Sequence, residues 1–74
     1  MEEKFRIKSY GYGELAQLYF PKASKRSASV QFRRWIVFNK KLENELMQNG
    51  FKPGLRLLTP KQVKLIVDYL GDPN

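Results

Sequence analysis

Residues 27–38 read SASVQFRRWIVF, and the fold turns on whether Trp35-Ile36-Val37-Phe38 continues a helix or stands alone as a buried strand. Four β-branched and aromatic residues in a row suit either, because a short apolar run has no period of its own. The stretch before them decides for a helix. It offers no turn residue, and Ala28, Phe32, Trp35 and Ile36 recur at the spacing that lines one helical face. Ser24 is the expected N-cap. On that helix Arg26, Val30, Arg33, Arg34 and Val37 fall away from the apolar face, so the arginine doublet points outward. A strand over residues 35–38 stands as the alternative.

Working outward, Asn39 is placed to interrupt or re-cap the chain, and Leu42, Leu46 and Met47 carry a third helical segment to Gly50. Gly50 at C′, with Leu46 at C3 and Phe51 at C″, matches a Schellman stop. Lys52-Pro53-Gly54 is a turn flanked by Phe51 and by Leu55-Arg56-Leu57-Leu58, and a small hairpin or wing is expected there, with a plain loop as the alternative. Thr59-Pro60-Lys61-Gln62 opens a last helix with an N-cap, Pro at N1 and a capping box; Leu58 and Val63 complete a hydrophobic staple. Val63, Ile66, Val67 and Leu70 are its buried stripe, Leu65 and Tyr69 an offset pair, and Gly71 its end. Upstream, Phe5 to Tyr10 alternates apolar and polar like a short half-buried strand. Ser9 to Gly13 turns the chain, and Leu15, Ala16, Leu18 and Tyr19 follow Glu14 in a two-turn helix that Pro21 stops.

The expected fold is therefore mainly α with a small β component. It is winged helix-turn-helix-like: three to four helices, a short N-terminal strand and a wing-like hairpin. Residues 1–74 form a single small domain, with 1–4 and 72–74 expected to be flexible. A chain of this length buries only about 60% of the surface its unfolded form exposes, so the core is small.

Composition narrows the chemistry. With no cysteine and no histidine, disulfides, thiolate and imidazole metal sites, and the usual nucleophile–base pairs are excluded. Glu43 and Glu45 lie two apart on a helix and face different directions, so they cannot share a proton. Gly11 and Gly13 in SYGYGEL lack a full phosphate-binding pattern and read as a tight connection. No enzyme, cofactor, metal or small-molecule ligand is expected. The longest apolar run is the four residues Trp35 to Phe38, against about 20 for a bilayer span. MEEKFRIKSY has no apolar h-region. A soluble, cytoplasmic protein without a membrane role is expected.

Fourteen Lys and Arg against seven Asp and Glu give a formal charge of +7, the footprint of a protein that meets a polyanion. Lys22, Lys25 and Arg26 gather at the start of the central helix, Arg33 and Arg34 follow on its outer surface, and Lys52 and Arg56 flank the wing. With Ser29 these are the candidate nucleic-acid contacts, duplex DNA being the expected partner; Ser24, Ser27 and Gln31 add hydrogen-bonding groups. Arg26, Ser29 and Arg33 are the first candidates for base reading. Stacking of single-stranded bases on Tyr10, Tyr12, Tyr19, Phe20 or Phe38 is the minor nucleic-acid alternative. The rival is a protein-interaction module or homodimer, built on outward Val30 and Val37 with Leu65 and Tyr69; a palindromic DNA target would reconcile the two.

The order of elements, carried by YGYGELAQLYFP and GFKPGLRLLTPKQVKLI, resembles small winged helix-turn-helix proteins of the MerR and excisionase type. That resemblance implies DNA binding, by a mobile-element or transcriptional accessory factor. GELAQLYFP, RRWI and LTPKQVKLIVDYLGDP are similar, over nearly the whole chain, to a family of short bacterial proteins of the Bacteroidetes type defined by a domain of unknown function. This second resemblance implies a stand-alone small domain and brings no activity with it.

Overall fold

Residues 27–38 lie in one helix. The computed structural model describes residues 5–52 and 54–73, and in it the chain runs β1 (Tyr10–Gly11), α1 (Tyr12–Tyr19), α2 (Lys25–Phe38), α3 (Lys40–Gln48), β2 (Leu57–Leu58) and α4 (Pro60–Leu70). The mainly helical class with a small β component is what the sequence implies, and it is compatible with a small winged-helix-like fold. The flexibility expected of residues 1–4 and Asn74 falls outside the described residues, as does Pro53 of the turn.

The helix ends follow their local chemistry. Ser24 Oγ accepts the Ser27 N–H at 3.2 Å to open α2. Asn39 alone makes the corner to α3. Its backbone N–H closes α2 on Trp35 and Ile36, and its side chain accepts the Leu42 N–H at 3.2 Å. At the end of α3, Gly50 takes φ +90°, the Phe51 N–H reaches the Leu46 carbonyl at 2.9 Å and the Gly50 N–H reaches Met47 at 3.3 Å, the two bonds of a Schellman motif. Thr59 and Gln62 exchange a full capping box ahead of α4. Gln62 is buried, and its amide also donates to the Asn49 carbonyl at 2.8 Å. The start of α4 is thereby tied to the end of α3, and a buried amide is satisfied that would otherwise be costly.

Leu15 and Ala16 of α1, Ala28, Phe32 and Ile36 of α2, Leu42 and Leu46 of α3, Leu58, and Val63 and Ile66 of α4 form one core with Tyr10. The Leu58–Val63 staple is inside it. α1 packs chiefly on α2, and α3 on α4 and α2.

Five expectations are corrected. The strand expected over Phe5–Tyr10 shortens to Tyr10–Gly11, because the segment ahead of it folds over its own aromatic ring. Phe5 stacks on Tyr10 at 5.3 Å, and the Tyr10 hydroxyl donates to the Arg6 carbonyl at 3.0 Å. The turn expected over Ser9–Gly13 is likewise short, since Tyr12 and Gly13 are already helical. The second strand does not fold back on Phe51 as a hairpin. Phe51 is held by the Schellman bond, and β2 pairs instead with β1, antiparallel, Tyr10 opposite Leu58 and Gly11 opposite Leu57. Trp35, expected inside, is 42% exposed. It sits at the border of the buried face, edge-on to Phe20 at 4.6 Å and to Tyr19 at 6.2 Å. Met47, expected inward, is 54% exposed.

Of the offset pair, Tyr69 is 37% exposed and Leu65 is half-buried. Leu65 packs against the core, and the Tyr69 hydroxyl donates to the Glu45 carboxylate across α3 and α4. That bond, with the Glu45 and Asp68 charges adding to it, raises the Tyr69 pKa.

Candidate nucleic-acid interface

Lys25, Ser29 and Arg33 are four residues apart on α2, so they stack along a single stripe of the helix. That stripe faces the start of α1. A Cβ placed on Gly13 would lie 2.9 Å from Lys25 Cε and 3.4 Å from Ser29 Oγ, so the Lys25 stem runs directly over the bare glycine backbone. SYGYGEL thus supplies a close helix crossing, in keeping with the tight connection its glycines suggest.

Two adjoining grooves run along this stripe. One, of about 290 Å³, lies between α2, α3 and the residues around Gly54, with Ser29, Arg33, Lys52 and Glu43 on an otherwise apolar lining. The other is more open and carries Lys25 and Arg56 beside the start of α1. Tyr12 and Leu55 line both grooves and join them. Lys25, Ser29, Arg33, Lys52 and Arg56 are thus brought to one continuous surface, although Lys52 and Arg56 are far from α2 in sequence. The strand pair makes this possible, because the Tyr12 N–H donates to the Arg56 carbonyl at 2.8 Å and anchors that segment against α1.

The remaining candidates lie elsewhere. Arg34 lines neither groove; it borders a separate recess with Val30, Arg33, Val37 and Phe38. The doublet is therefore split: Arg33 lines the groove between α2 and α3 as well as this recess, whereas Arg34 lines only the recess. Lys22 and Arg26 are exposed and line neither groove. Some of the expected donors are also engaged within the helix. The Ser29 hydroxyl donates to the Lys25 carbonyl at 2.9 Å, and the Gln31 amide donates to Ser27 Oγ at 3.2 Å.

Charge is distributed as unevenly as position. No acid occurs between Glu14 and Glu43, a span that holds seven Lys and Arg. Among the described residues two ion pairs form, Lys40 with Glu43 and Lys64 with Asp68. None of the seven candidate cations belongs to either. Glu43 shares a groove lining with Arg33 and Lys52, and Glu14 shares the other with Lys25 and Arg56, without pairing with them. The excess of positive charge is costly for a compact chain unless a counter-charge arrives from outside.

Tyr12 was read in the sequence only as one of several aromatics, and its position gives it a particular role. Its ring packs against Phe32 at 5.4 Å and Phe51 at 6.4 Å. Its hydroxyl is buried without a hydrogen-bond partner. Burial pushes its pKa up to about 12, against the opposing pull of the Arg33 charge. The only hint in the sequence is the helix spacing from Tyr12 to Leu15 and Ala16, which puts the tyrosine at the edge of the buried face. Among the described residues no cluster of acids suits a metal ion, and no helix is long and apolar enough to cross a membrane.

Fold and surface together define a small, mainly helical domain in which Lys25, Arg33, Lys52 and Arg56 meet along two joined grooves. The chain belongs to the family described as a domain of unknown function (DUF4248), whose family model matches residues 6–73. No curated protein and no solved structure matches it.

Proposed function

We propose that this chain is a non-enzymatic, cytoplasmic protein that binds duplex DNA, acting as a transcriptional or mobile-element accessory factor. The observation that supports this reading is the meeting of Lys25, Ser29 and Arg33 with Lys52 and Arg56 along two joined grooves, with none of these cations in an ion pair among the described residues. A duplex offers a regular row of phosphates to such a face, and each neutralised phosphate releases condensed counterions.

The amino-terminal half of α2 approaches the duplex. From Lys25 to Arg33 the helix rises about 12 Å, so the two cations address separate phosphates while Ser29 lies between them. Lys52 and Arg56 clamp the flank, in the position a wing would occupy. Lys22 and Arg26, at the exposed start of α2, extend the same contact. Ser29 retains its acceptor capacity because only its donor is used within the helix.

The test is a titration of random-sequence duplex over a range of salt concentrations. Log affinity should fall linearly with log salt, by about 0.9 per phosphate contact. Replacing Lys25 and Arg56 together by Gln should flatten that slope by roughly two units. A slope left unchanged by the double substitution, with the fold intact by circular dichroism, would overturn the proposed contact surface.

A further inference from the structure

From Val30 to Phe38 the outer side of α2 carries an apolar strip that the fold leaves uncovered. Val30, Val37 and Phe38 are 51%, 38% and 83% exposed. They line one shallow recess with Arg33 and Arg34, and Phe38 also edges a second recess beside Trp35, Lys40 and Lys41. An exposed apolar strip of this kind on a small soluble domain marks an interaction site. The charged residues lining the two recesses are all basic: Arg33, Arg34, Lys40 and Lys41, beside the neutral Asn39. Arg34 and Lys41 are in no ion pair among the described residues, and Lys40 meets only Glu43, at 3.7 Å.

We infer that this strip is a docking surface for an acidic amphipathic helix of a partner protein, with apolar side chains seated on either side of Phe38 and carboxylates meeting Arg34 and Lys41. Charge complementarity selects this occupant. A second copy of the chain is disfavoured, because a two-fold contact centred on Val30 and Val37 would set Arg34 against its own symmetry mate between two bodies of like charge. A duplex backbone has no use for Phe38. An anionic membrane would satisfy the charges, but two discrete recesses flanking one aromatic suit inserted side chains, as when an amphipathic helix enters a groove with anchors at i, i+3, i+4 and i+7. The inference does not depend on DNA binding: Arg34 and Phe38 line neither of the two joined grooves, although Val30, Arg33 and Val37 border both this recess and the groove between α2 and α3.

The experiment is a selection from an unbiased library of helical peptides displayed on phage, using the full chain as bait and the Phe38→Ser variant for counter-selection. Enriched sequences should carry Asp or Glu flanking an apolar helical stripe. A synthetic peptide of that kind should lose about tenfold or more in affinity toward Phe38→Ser and toward Arg34→Glu, while Phe38→Ser retains its affinity for duplex DNA. Enrichment of neutral or basic sequences, equal binding to Phe38→Ser, or no enrichment would overturn the inference. So would a concentration-dependent dimer abolished by Phe38→Ser, which would assign the strip to a second copy. Phe38-dependent binding to phosphatidylglycerol vesicles without peptide enrichment would assign it to a membrane.

Discussion

The two halves of α2 share one buried face and differ in everything else. Ala28 in the first half and Phe32 and Ile36 in the second are sealed into the same core, so folding makes the same demand along the whole helix. Outside, the first half is mostly serine and cation with one exposed valine, Val30, whereas the second exposes Trp35, Val37 and Phe38 around Arg33 and Arg34. Packing cannot account for that difference, since neither outer surface touches the core. A residue such as Phe38, 83% exposed, contributes nothing to folding that a polar residue would not. The contrast teaches that one helix carries two outer surfaces, a stripe with Lys25, Ser29 and Arg33 and an apolar strip, and that only the inner face belongs to the fold.

The largest expected effect erases the contrast by removing what the halves share. Phe32 is fully buried and packs against both Tyr12 and Tyr19. Phe32→Ala should cost about 3–5 kcal/mol, comparable to the whole stability of a domain this small. Chemical denaturation should show the variant unfolded or nearly so, with both proposed binding activities lost together. A variant that kept a cooperative transition near the parent midpoint would show that α2 is not the centre of the core.

Much of this arrangement was legible in the sequence, for definite reasons. The caps at Ser24, Gly50 and Thr59 are local chemistry written within a few residues, and each formed as read. The period of Ala28, Phe32 and Ile36 decided between helix and strand over WIVF. What misled was pairing at a distance. Nothing near Leu57-Leu58 says that its partner is Tyr10-Gly11 rather than the far side of its own turn, because the alternatives differ only in tertiary context. The same holds for the surface. That Lys52 and Arg56 adjoin Lys25 and Arg33 depends on the strand pair, and no spacing rule connects residues so distant. Trp35 shows a finer limit, since helical periodicity places a side chain on a face but does not say where that face's border falls.

A smaller effect probes the join between the two surfaces. The Tyr12 hydroxyl is buried without a partner, and an unsatisfied buried polar group costs about 1–3 kcal/mol. Tyr12→Phe should therefore stabilise the domain, by about 1 kcal/mol, read as a higher denaturation midpoint. The pH dependence has a fixed sign. In the folded chain Tyr12 and Tyr19 are both pushed up to about 12, chiefly by burial, from an ordinary value of 10.0. The stability they contribute is fully present below pH 10, where both states hold the proton. It is lost as pH rises from 10 toward 12, where the unfolded chain ionises first. Thermal midpoints should fall across that window, and less steeply in Tyr12→Phe. Replacing Arg33 by Gln should raise the Tyr12 pKa further, because the guanidinium favours the phenolate; absorbance titration of the phenol reads the shift.

Separating the doublet sharpens the comparison further. Arg33 lines the groove between α2 and α3 and Arg34 does not. In the salt titration Arg33→Gln should flatten the duplex slope by about 0.9, whereas Arg34→Gln should leave it within error. Equal effects would mean that the duplex covers both halves of α2, and the division proposed between them would fail.

The smallest expected effect tests whether the apolar strip is irrelevant to folding. Phe38 is the last residue of α2, and its ring is almost entirely in water. Exchange for Ser removes little buried area, and near a helix end the change in intrinsic propensity amounts to a few tenths of a kcal/mol. Phe38→Ser should therefore unfold within about 0.5 kcal/mol of the parent while becoming more soluble at high concentration, because an exposed apolar patch has been removed. Denaturant midpoints beside light scattering measure the two quantities independently. A loss well beyond that margin would mean that Phe38 packs on the domain in solution, and the strip would then belong to the core it is supposed to stand apart from.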